Sequence, residues 1–467
     1  MPIQTALNRR TLLKLTALAG SAMALPAAAA LPTAPAASDG AHWLIRHATV
    51  LSMDPQIGEL SDADIELRDG VIVAVGKGLK APGAQLLEAS GMIVIPGLVD
   101  THWHLWNSLL RNSAPAPAGE PFFKSQLATS KRFTADLSAL GVRLGLAEAV
   151  NAGITTVNNW AHNLRDASFA HAELRALQDS GVRGRFWYGY AQDLAPTAPM
   201  DFADIQRVQQ QLQAAGQRFD LGLAIRGPER TEAPIWTSEF AFAKAQGLPV
   251  STHIAVTQAM QQKRAVQQLA QRGLLDRHVQ LVHATHVNAQ DIDSIARSGA
   301  SVCLTPLTEM RVGYGLAPVN ALHAAKIPIS VGIDTLVLSG NANPFMLMQT
   351  LLNLASGMSG NEQALTARDV LHWATQGGAE AMGLGTKIGS ITPGKRADLV
   401  LIDTRGIGMS PVIDPFASVV QSASAAQVDT VFADGRLLKR NGTLLNVDTR
   451  RLGEEVTEAV ARLLSPA

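Results

Sequence analysis

The sequence predicts an α/β protein in which a (β/α)8 TIM barrel carries a small β-sandwich domain built from both chain ends. The chain has 467 residues, 47% of them apolar, which is too long for one compact core unless that core is a large barrel. Its middle part alternates short apolar runs with helical stretches, as barrels do. Both flanks have a different pattern, in which short β-like runs are separated by residues typical of turns.

Eight strand-like runs support the barrel. The first ends near Asp100, and the others are 155–160, 185–190, 221–226, 249–256, 279–284, 301–304 and 328–333. Helical patterns lie between them, for example at 205–213, 259–271, 289–297 and 318–325. Because the count and the length both fit eight β/α units, we expect the barrel to span residues 96–385.

The flanking segments predict the second domain. Residues 39–95 contain β-like runs around an Asp69-Gly70 turn, and residues 386–450 contain similar runs around an Asp434-Gly435 turn. Since neither segment is large enough to bury a core of its own, we expect them to pair into one small β-sandwich. A C-terminal helix is expected at 451–467.

Residues 1–38 have the pattern of an export signal. Arg9 and Arg10 precede a mildly apolar run at 15–25, Ala27–Ala30 offers small-residue cleavage sites, and no acidic residue occurs before Asp39. The adjacent arginines, followed by Leu-Leu-Lys, resemble the bacterial twin-arginine signal, which a translocation receptor reads and which is not an anchor. A disordered basic leader is the alternative. We therefore expect a periplasmic protein that meets the twin-arginine translocation machinery during export.

Charge and cysteine content exclude several classes of protein. Thirty-nine Lys and Arg balance 39 Asp and Glu, which argues against a nucleic-acid partner, and no run is long enough to anchor the chain in a membrane. The single cysteine, Cys303, excludes internal disulfides and a Cys-rich zinc cluster. The expected partner is a small-molecule substrate, and the sequence leaves a homo-oligomer open.

Four histidines and one aspartate stand at the ends of predicted strands, where a barrel has its active site. His102 and His104 are two residues apart and therefore face the same way on a strand. His253, His283 and Asp334 each end another strand. Any one of them alone is more often a packing or capping residue, but together they predict a site for one divalent metal ion. This donor set suits Zn²⁺, with Fe²⁺, Co²⁺ or Mn²⁺ as alternatives.

Three longer motifs resemble the amidohydrolase superfamily over nearly the whole mature chain. Residues 96–104, Pro-Gly-Leu-Val-Asp-Thr-His-Trp-His, are similar to its first metal strand, and residues 389–400 are similar to its return into the small domain. Residues 305–318 resemble the Asn-Pro-x-Ser-Asn-x-Lys-x-Gly-x-Gly-x-Ala-Pro stretch of one branch. That branch contains S-adenosylhomocysteine deaminase, guanine deaminase and the triazine hydrolases.

The resemblance implies a role for each strand-end residue. His102, His104, His253 and Asp334 would hold the metal, while Asp334 and His283 would be catalytic, moving the proton of a metal-activated water and stabilising the oxyanion. Binuclear members carry a lysine at the end of strand four, and residues 221–227 contain none, so one metal ion is expected.

Two departures from the branch bear on the reaction. Its deaminases have a glutamate three residues after the strand-five histidine, where this chain has Val256, and Thr305 and Glu309 replace two asparagines. Val256 cannot transfer a proton, so Glu309 is a candidate to fill that role, with an unused surface position as the alternative. Trp103, Trp106 and His162 are weaker candidates for substrate contacts, since ordinary packing explains them equally well.

These observations predict an exported mononuclear metal-dependent amidohydrolase that cleaves a C–N bond of a small amide, carbamate or urea-like substrate. One alternative is an aminohydrolase that releases ammonia from a heterocycle. Another is a non-catalytic binding protein with the same fold, although such relatives usually lose metal ligands.

Overall fold

The computed structural model describes residues 41–114, 121–214 and 218–465. The export signal expected over residues 1–38 lies outside the described residues. The strands are β1 (His42–Leu51), β2 (Glu59–Arg68), β3 (Val71–Gly76), β4 (Gln85–Glu88), β5 (Met92–Pro96), β6 (Leu98–Trp103), β7 (Ile154–Ala161), β8 (Arg183–Tyr188), β9 (Phe219–Ala224), β10 (Val250–Ile254), β11 (Val279–His283), β12 (Ser301–Leu304), β13 (Ile329–Val331), β14 (Leu399–Asp403), β15 (Val428–Ala433), β16 (Arg436–Arg440) and β17 (Thr443–Leu444).

Most of the helices follow barrel strands, and the last two follow strands of the second sheet. They are α1 (Phe122–Ser130), α2 (Ala135–Asn151), α3 (Ala167–Asp179), α4 (Phe202–Gln213), α5 (Ala233–Gln246), α6 (Gln258–Gln261), α7 (Ala265–Gln271), α8 (Ala289–Ser298), α9 (Pro306–Arg311), α10 (Val319–Ala324), α11 (Leu336–Ser339), α12 (Pro344–Ser359), α13 (Ala367–Trp373), α14 (Gln376–Ala381), α15 (Pro415–Ala417) and α16 (Thr449–Leu464), with a 3-10 helix at Leu105–Leu110 and a π-helical turn at Ser418–Ser422. Within the described residues, no helix combines the length and the apolar character needed to cross a membrane.

Strands β6 to β13 form a parallel barrel in sequence order. The first and last strands meet at the metal-ligand positions. The Asp334 N–H donates to the carbonyl of His102 at 2.9 Å, and the His104 N–H donates to the carbonyl of Asp334 at 2.6 Å. The backbone that closes the barrel therefore also sets the distance between the first and last predicted ligands, and the predicted (β/α)8 fold is confirmed.

The remaining strands form one nine-stranded sheet in the order β17-β16-β15-β14-β5-β1-β2-β3, with β4 beside β1. Strand β14 pairs antiparallel with β5, with Leu401 opposite Val94, so the two chain ends share hydrogen bonds. Its apolar cluster includes Trp43, Ile65 and Phe432. As predicted, the chain ends build one β domain. Its strands belong to a single hydrogen-bonded sheet.

One helix expected from the sequence is broken. The pattern at 259–271 predicts a continuous helix, whereas α6 ends at Gln261 and α7 begins at Ala265. Arg264 between them has a left-handed φ of 54°, and the Lys263 ammonium bonds to the carbonyl of Glu229 in the β9–α5 loop. This tertiary contact outweighs helix propensity at the junction.

Candidate metal centre

Four side-chain atoms converge at the carboxyl end of the barrel. The Nε2 atoms of His102 and His253 are 3.2 Å apart, and Oδ1 of Asp334 lies 3.4 Å from Nε2 of His102 and 3.2 Å from Nε2 of His104. All four ligand atoms fall within 4.8 Å of one another. Tetrahedral ligands bound ~2.0–2.1 Å from an ion lie about 3.3 Å apart. The spacing therefore fits one divalent metal ion, and the four predicted ligands form a single site.

The electrostatic state of these groups suits a cation. Burial lowers the pKa of His102 to about 3 and also lowers the pKa of His253, so both imidazoles are neutral and keep a lone pair. Burial alone would raise the pKa of Asp334, but its close contacts with the imidazoles of His102 and His104 outweigh burial and hold that pKa well below its usual range. Neutral imidazoles and an ionised carboxylate are the forms that ligate metal.

Further contacts orient the ligands. The Nδ1 atom of His104 lies 3.1 Å from the carbonyl oxygen of Trp160, and a proton shared there leaves Nε2 free to face the metal. The Asp100 carboxylate accepts from the N–H of His102 at 3.1 Å and from the N–H of Ile333 at 2.6 Å. Asp100 thus braces β6 against the strand end that carries Asp334, a role that the sequence did not single out although the residue lies within the first motif.

The backbone is strained at the site. His283 and Asp334 have φ values of 71° and 65°, and Ala255 and Ala284 have φ values of 48° and 50°. Non-glycine residues seldom adopt this left-handed region, and such strain concentrates at functional sites. These turns bend each chain segment at the point where its strand reaches the metal ligands.

The start of α9 contacts the Nδ1 atom of His283. Its Nδ1 atom lies 2.9 Å from Oγ1 of Thr305 and 3.3 Å from Oε1 of Glu309. The same Glu309 oxygen accepts from the Thr305 N–H at 2.8 Å and from its hydroxyl at 3.2 Å. Glu309 is only 2% exposed, so it is not an unused surface residue. It meets the site through the imidazole of His283.

The floor of the site is a tryptophan inside the barrel. The Trp160 ring centroid lies 4.3 Å from that of His253 and 5.2 Å from that of His104. Its Nε1 donates to Oγ of Ser251 at 3.0 Å, and that hydroxyl donates to Gln280 at 2.8 Å. The indole is therefore fixed at both its face and its edge, which gives the metal ligands a rigid support.

The side wall beside His104 contains two of the weaker candidates. The ring of His162 lies 3.9 Å from that of His104, and its Nδ1 accepts from Nε1 of Trp106 at 3.0 Å. Gln192 lies 3.0 Å from the other ring nitrogen. Burial first, then the charge of His104, lowers the pKa of His162 well below its usual value. The wall is thus a neutral imidazole whose two ring nitrogens both have hydrogen-bond partners.

Trp103 lies elsewhere. Its side chain alternates with His102 and His104 on β6 and is completely buried, with its ring beside Gly145 of α2. The expectation that Trp103 contacts substrate is therefore wrong, because the strand period that directs the histidines inward directs this ring into the layer between barrel and helices.

The position that should hold a ring-protonating acid is apolar. Val256 follows β10 and is fully buried. The nearby Glu229 carboxylate accepts from the N–H of Ala255 at 2.7 Å, which fixes the turn after His253. Arg226 follows β9, the fourth barrel strand, and its guanidinium bonds to the carbonyls of Leu194 and Ala195 at 3.0 and 2.8 Å. The Arg226 side chain thus anchors the β8–α4 loop and provides no ligand that could bridge two metal ions.

Aromatic groups that the sequence did not single out complete the mouth. The ring of Tyr314 lies 5.4 Å from that of His283, edge to face, and Phe123 of α1 stacks on Tyr314 at 6.3 Å. Tyr190, after β8, lies 6.0 Å from Trp160 and 6.3 Å from His162. Each stands in a loop after a strand or at a helix start, where no period marks a residue as inward-facing.

Comparisons with known proteins agree with this architecture. A model of the amidohydrolase family matches residues 93–438. A 5-methylthioadenosine/S-adenosylhomocysteine deaminase of Symbiobacterium thermophilum is 29% identical, over 90% of this chain and 99% of the relative. A 5'-deoxyadenosine deaminase of Methanosarcina acetivorans is 26% identical, over 91% and 99%.

Two solved structures are similar throughout. An adenosine deaminase from Xanthomonas campestris with bound zinc has a TM-score of 0.80 at 25% identity, over 90% of this chain and 98% of that one. An atrazine chlorohydrolase from Arthrobacter aurescens complexed with zinc has a TM-score of 0.78 at 24% identity, over 89% and 99%. The second likeness concerns the fold alone.

Proposed function

Because this chain belongs to the amidohydrolase family and is a metal-dependent hydrolase acting on C–N bonds, we propose that its substrate is a small amide, carbamate or urea. The observation that carries the proposal is Val256, fully buried where a ring-protonating acid would stand. Hydrolysis of an amide, carbamate or urea needs no proton on a ring nitrogen, since the developing charge collects on the carbonyl oxygen.

We propose one ion per chain, most simply Zn²⁺, held by His102, His104, His253 and Asp334. The ligand-atom spacing supports this number, and Fe²⁺, Co²⁺ and Mn²⁺ remain alternatives for the same donors. When bound, such an ion acidifies water and polarises an oxygen of the substrate. Arg226, engaged with loop carbonyls at the end of strand four, supports a mononuclear centre.

The side chains of Asp334 and His283 then have separate roles in proton transfer and in charge stabilisation. The ionised Asp334 carboxylate accepts the proton of the attacking water and later passes it to the leaving amine. His283 faces the oxyanion that develops on the substrate, with its ring orientation fixed by Thr305 and Glu309. Trp160 and His162 form rigid walls that keep the reacting groups aligned.

A second candidate is deamination of a heterocycle. The deaminases among its relatives favour it, and so does the Glu309–His283 contact, which orients the imidazole by a carboxylate oxygen 3.3 Å from Nδ1. In this alternative His283 delivers the proton that a glutamate at position 256 would supply.

We further propose export to the periplasm through the twin-arginine machinery. The support is the sequence of residues 1–38, with paired arginines, a short apolar run and small-residue cleavage sites. The mature chain would act as a soluble hydrolase there, and its oligomeric state stays open.

Product analysis tests the proposal. Metal-loaded protein is incubated with matched amides, carbamates, ureas and aminated heterocycles, and products are identified by mass spectrometry alongside an ammonia assay. The Asp334→Asn variant gives the background rate of product formation. Cleavage of the C–N bond of an amide, carbamate or urea that is absent from the variant supports the proposal. Turnover confined to heterocycles with ammonia release would instead establish the deaminase alternative.

A further inference from the structure

Phe123 is an aromatic side chain that the fold leaves in contact with solvent. It is 56% exposed, whereas the other Phe, Trp and Tyr side chains in the ranges 41–114, 121–214 and 218–465 are buried or half-buried. Phe123 lies in α1, which follows β6 and therefore stands at the carboxyl end of the barrel, where the metal site is. Covering an apolar ring that stands in water is favourable, so a ligand group placed over it would be stabilised.

Tyr314 connects this ring to the active site. The rings of Phe123 and Tyr314 are nearly parallel, with 20° between their planes and centroids 6.3 Å apart, and the Tyr314 ring meets that of His283 edge to face at 5.4 Å. Aromatic rings at these separations attract one another. A series of ring contacts therefore runs from His283, beside the metal ligands, through Tyr314 to a ring that water reaches.

The backbone around Tyr314 is fixed by hydrogen bonds. Its N–H donates to the carbonyl of Glu309 at 2.9 Å, and its own carbonyl accepts from Nε2 of His286 at 2.6 Å. A further bond joins α9 to the connection between β6 and α1, because the Arg311 guanidinium donates to the carbonyl of Ala114 at 3.3 Å. The two segments that carry the rings are thus held together, and their aromatic surface is preformed.

Further apolar side chains accompany the rings on the same two segments. Leu127 is four residues after Phe123 and so lies on the same face of α1, while Met310 and Leu316 stand on either side of Tyr314 in the sequence. Leu127, Met310 and Leu316 are all exposed. Large apolar side chains in water at the rim of an active site indicate a surface for an apolar ligand group.

We propose that the substrate carries an aromatic ring that lies against Tyr314 and Phe123 while its C–N bond is cleaved at the metal. This inference rests on the proposed function, because it names the substrate class of the same site. The ring belongs to a part of the molecule other than the reacting carbon, since Tyr314 and Phe123 lie one and two ring contacts beyond His283. Phe123 is then a specificity-determining residue, whose loss raises KM more than it lowers kcat.

A series of hydroxamates tests the proposal without requiring turnover, because the hydroxamate head binds divalent metal ions and the tail reports on the aromatic surface. Acetohydroxamate, 3-phenylpropanohydroxamate and 3-cyclohexylpropanohydroxamate are titrated calorimetrically into metal-loaded protein. Burial of a ring is worth about 10–100-fold in affinity, and aromatic contacts add about 2–10-fold. We expect the phenyl compound to bind about tenfold or more tightly than acetohydroxamate, and about threefold more tightly than the cyclohexyl compound.

Variants of Phe123 separate the ring from the metal. Phe123→Ala should remove most of the preference for the phenyl tail and leave the affinity for acetohydroxamate unchanged, whereas Phe123→Trp keeps a flat ring and should retain the preference. Leu86→Ala, at an exposed position on β4 of the second sheet, is the matched control and should change neither affinity. Thermal unfolding checks that each variant is folded.

The outcome is independent of which C–N bond the product analysis identifies. A phenyl preference that is missing from the wild type, or that persists in Phe123→Ala, overturns the proposal even if hydrolysis of an amide, carbamate or urea is established. Light scattering examines the other occupant of such a surface, a second copy of this chain. If Phe123→Ala lowers the mass in solution and leaves the phenyl preference unchanged, the surface is a subunit interface and the proposal is wrong.

Discussion

Oε1 of Glu309 lies 3.3 Å from Nδ1 of His283, and the same oxygen accepts from the N–H of Thr305. A carboxylate in this place fixes the rotation of the imidazole and favours a proton on Nδ1, which leaves Nε2 for the pocket. We therefore expect Glu309 and the helix cap Thr305 to act as positioning residues for His283.

Glu309→Gln should lower kcat about 10–100-fold while KM and metal content stay close to wild type, since contacts of this kind are worth that much. The amide keeps the size of the side chain but loses the negative charge beside Nδ1 of His283. Steady-state kinetics and metal analysis check this, and Glu309→Asp should recover part of the rate. A Glu309→Gln enzyme with unchanged kcat and pH profile would show that the carboxylate is only structural.

Metal binding should depend on the converging ligands. His102→Ala and His253→Ala should each lose the single ion, because three donors remain where four lie within 4.8 Å. Asp334→Asn should lose turnover by several orders of magnitude even where metal is partly retained, since the amide cannot accept a proton.

Metal content by plasma mass spectrometry and activity on the same samples measure both effects. His171→Ala, which changes an exposed histidine on α3, is the matched control and should keep the ion and the activity. Two ions per chain, or an active Asp334→Asn enzyme, would contradict a mononuclear site with Asp334 as the proton acceptor.

The metal ligands could be predicted because a strand has a two-residue period and a barrel collects its strand ends. His102 and His104 follow the first rule, and His253 and Asp334 follow the second. The same first rule, applied to the intervening Trp103, would have placed its ring outside the pocket, where the structure has it.

The orientation of loop residues could not be predicted from the periodicity of the sequence. Tyr314 and Glu229 lie in loops, where orientation depends on contacts such as that between the Glu229 carboxylate and the Ala255 N–H. Strand ends were also misjudged, since Tyr190 and Arg226 were assigned to strands that end at Tyr188 and Ala224. Tertiary hydrogen bonds fix these positions, and such bonds cannot be predicted from local secondary-structure propensity.

A buried carboxyl between α2, α3 and β7 should give stability a dependence on pH. Burial raises the pKa of Glu173 from 4.5 to about 7, against bonds from Ser138 and Asn159. Because the folded state holds the proton more tightly than the unfolded state, its contribution is complete below pH ~4.5 and declines as pH rises through 7. The stability of wild type relative to Glu173→Gln should therefore fall over this range, by up to ~3 kcal/mol.

Chemical denaturation between pH 5 and 8 measures that difference, at intervals of about half a unit set by the width of a titration. Glu59→Gln, at an exposed position on β2, is the control and should give a difference that does not vary with pH. A Glu173→Gln difference that is flat with pH would mean that this carboxyl does not titrate with folding.

Export should depend on the arginine pair. Lysine is a compact point charge and cannot reproduce the planar fork of arginine, so Arg9→Lys with Arg10→Lys should leave unprocessed protein in the cytoplasm. Cell fractionation and immunoblotting against the mature chain measure this, and Lys14→Arg is a conservative control in the same segment. Normal periplasmic accumulation of the double variant would refute the signal assignment.

The reaction itself should follow from Val256. Deamination of a heterocycle needs a proton on a ring nitrogen, and a side-chain acid supplies ~10²–10⁴ in rate, which a buried valine cannot provide. We expect negligible ammonia release from adenosine, guanine, cytosine and S-adenosylhomocysteine, measured by a coupled ammonia assay with Asp334→Asn as background. Release at kcat/KM near ~10⁴ M⁻¹s⁻¹ or above, the low end for efficient enzymes, would contradict this. If Glu309→Gln then abolished that activity, proton delivery would run through His283, with Glu309 behind it in the place of the missing acid.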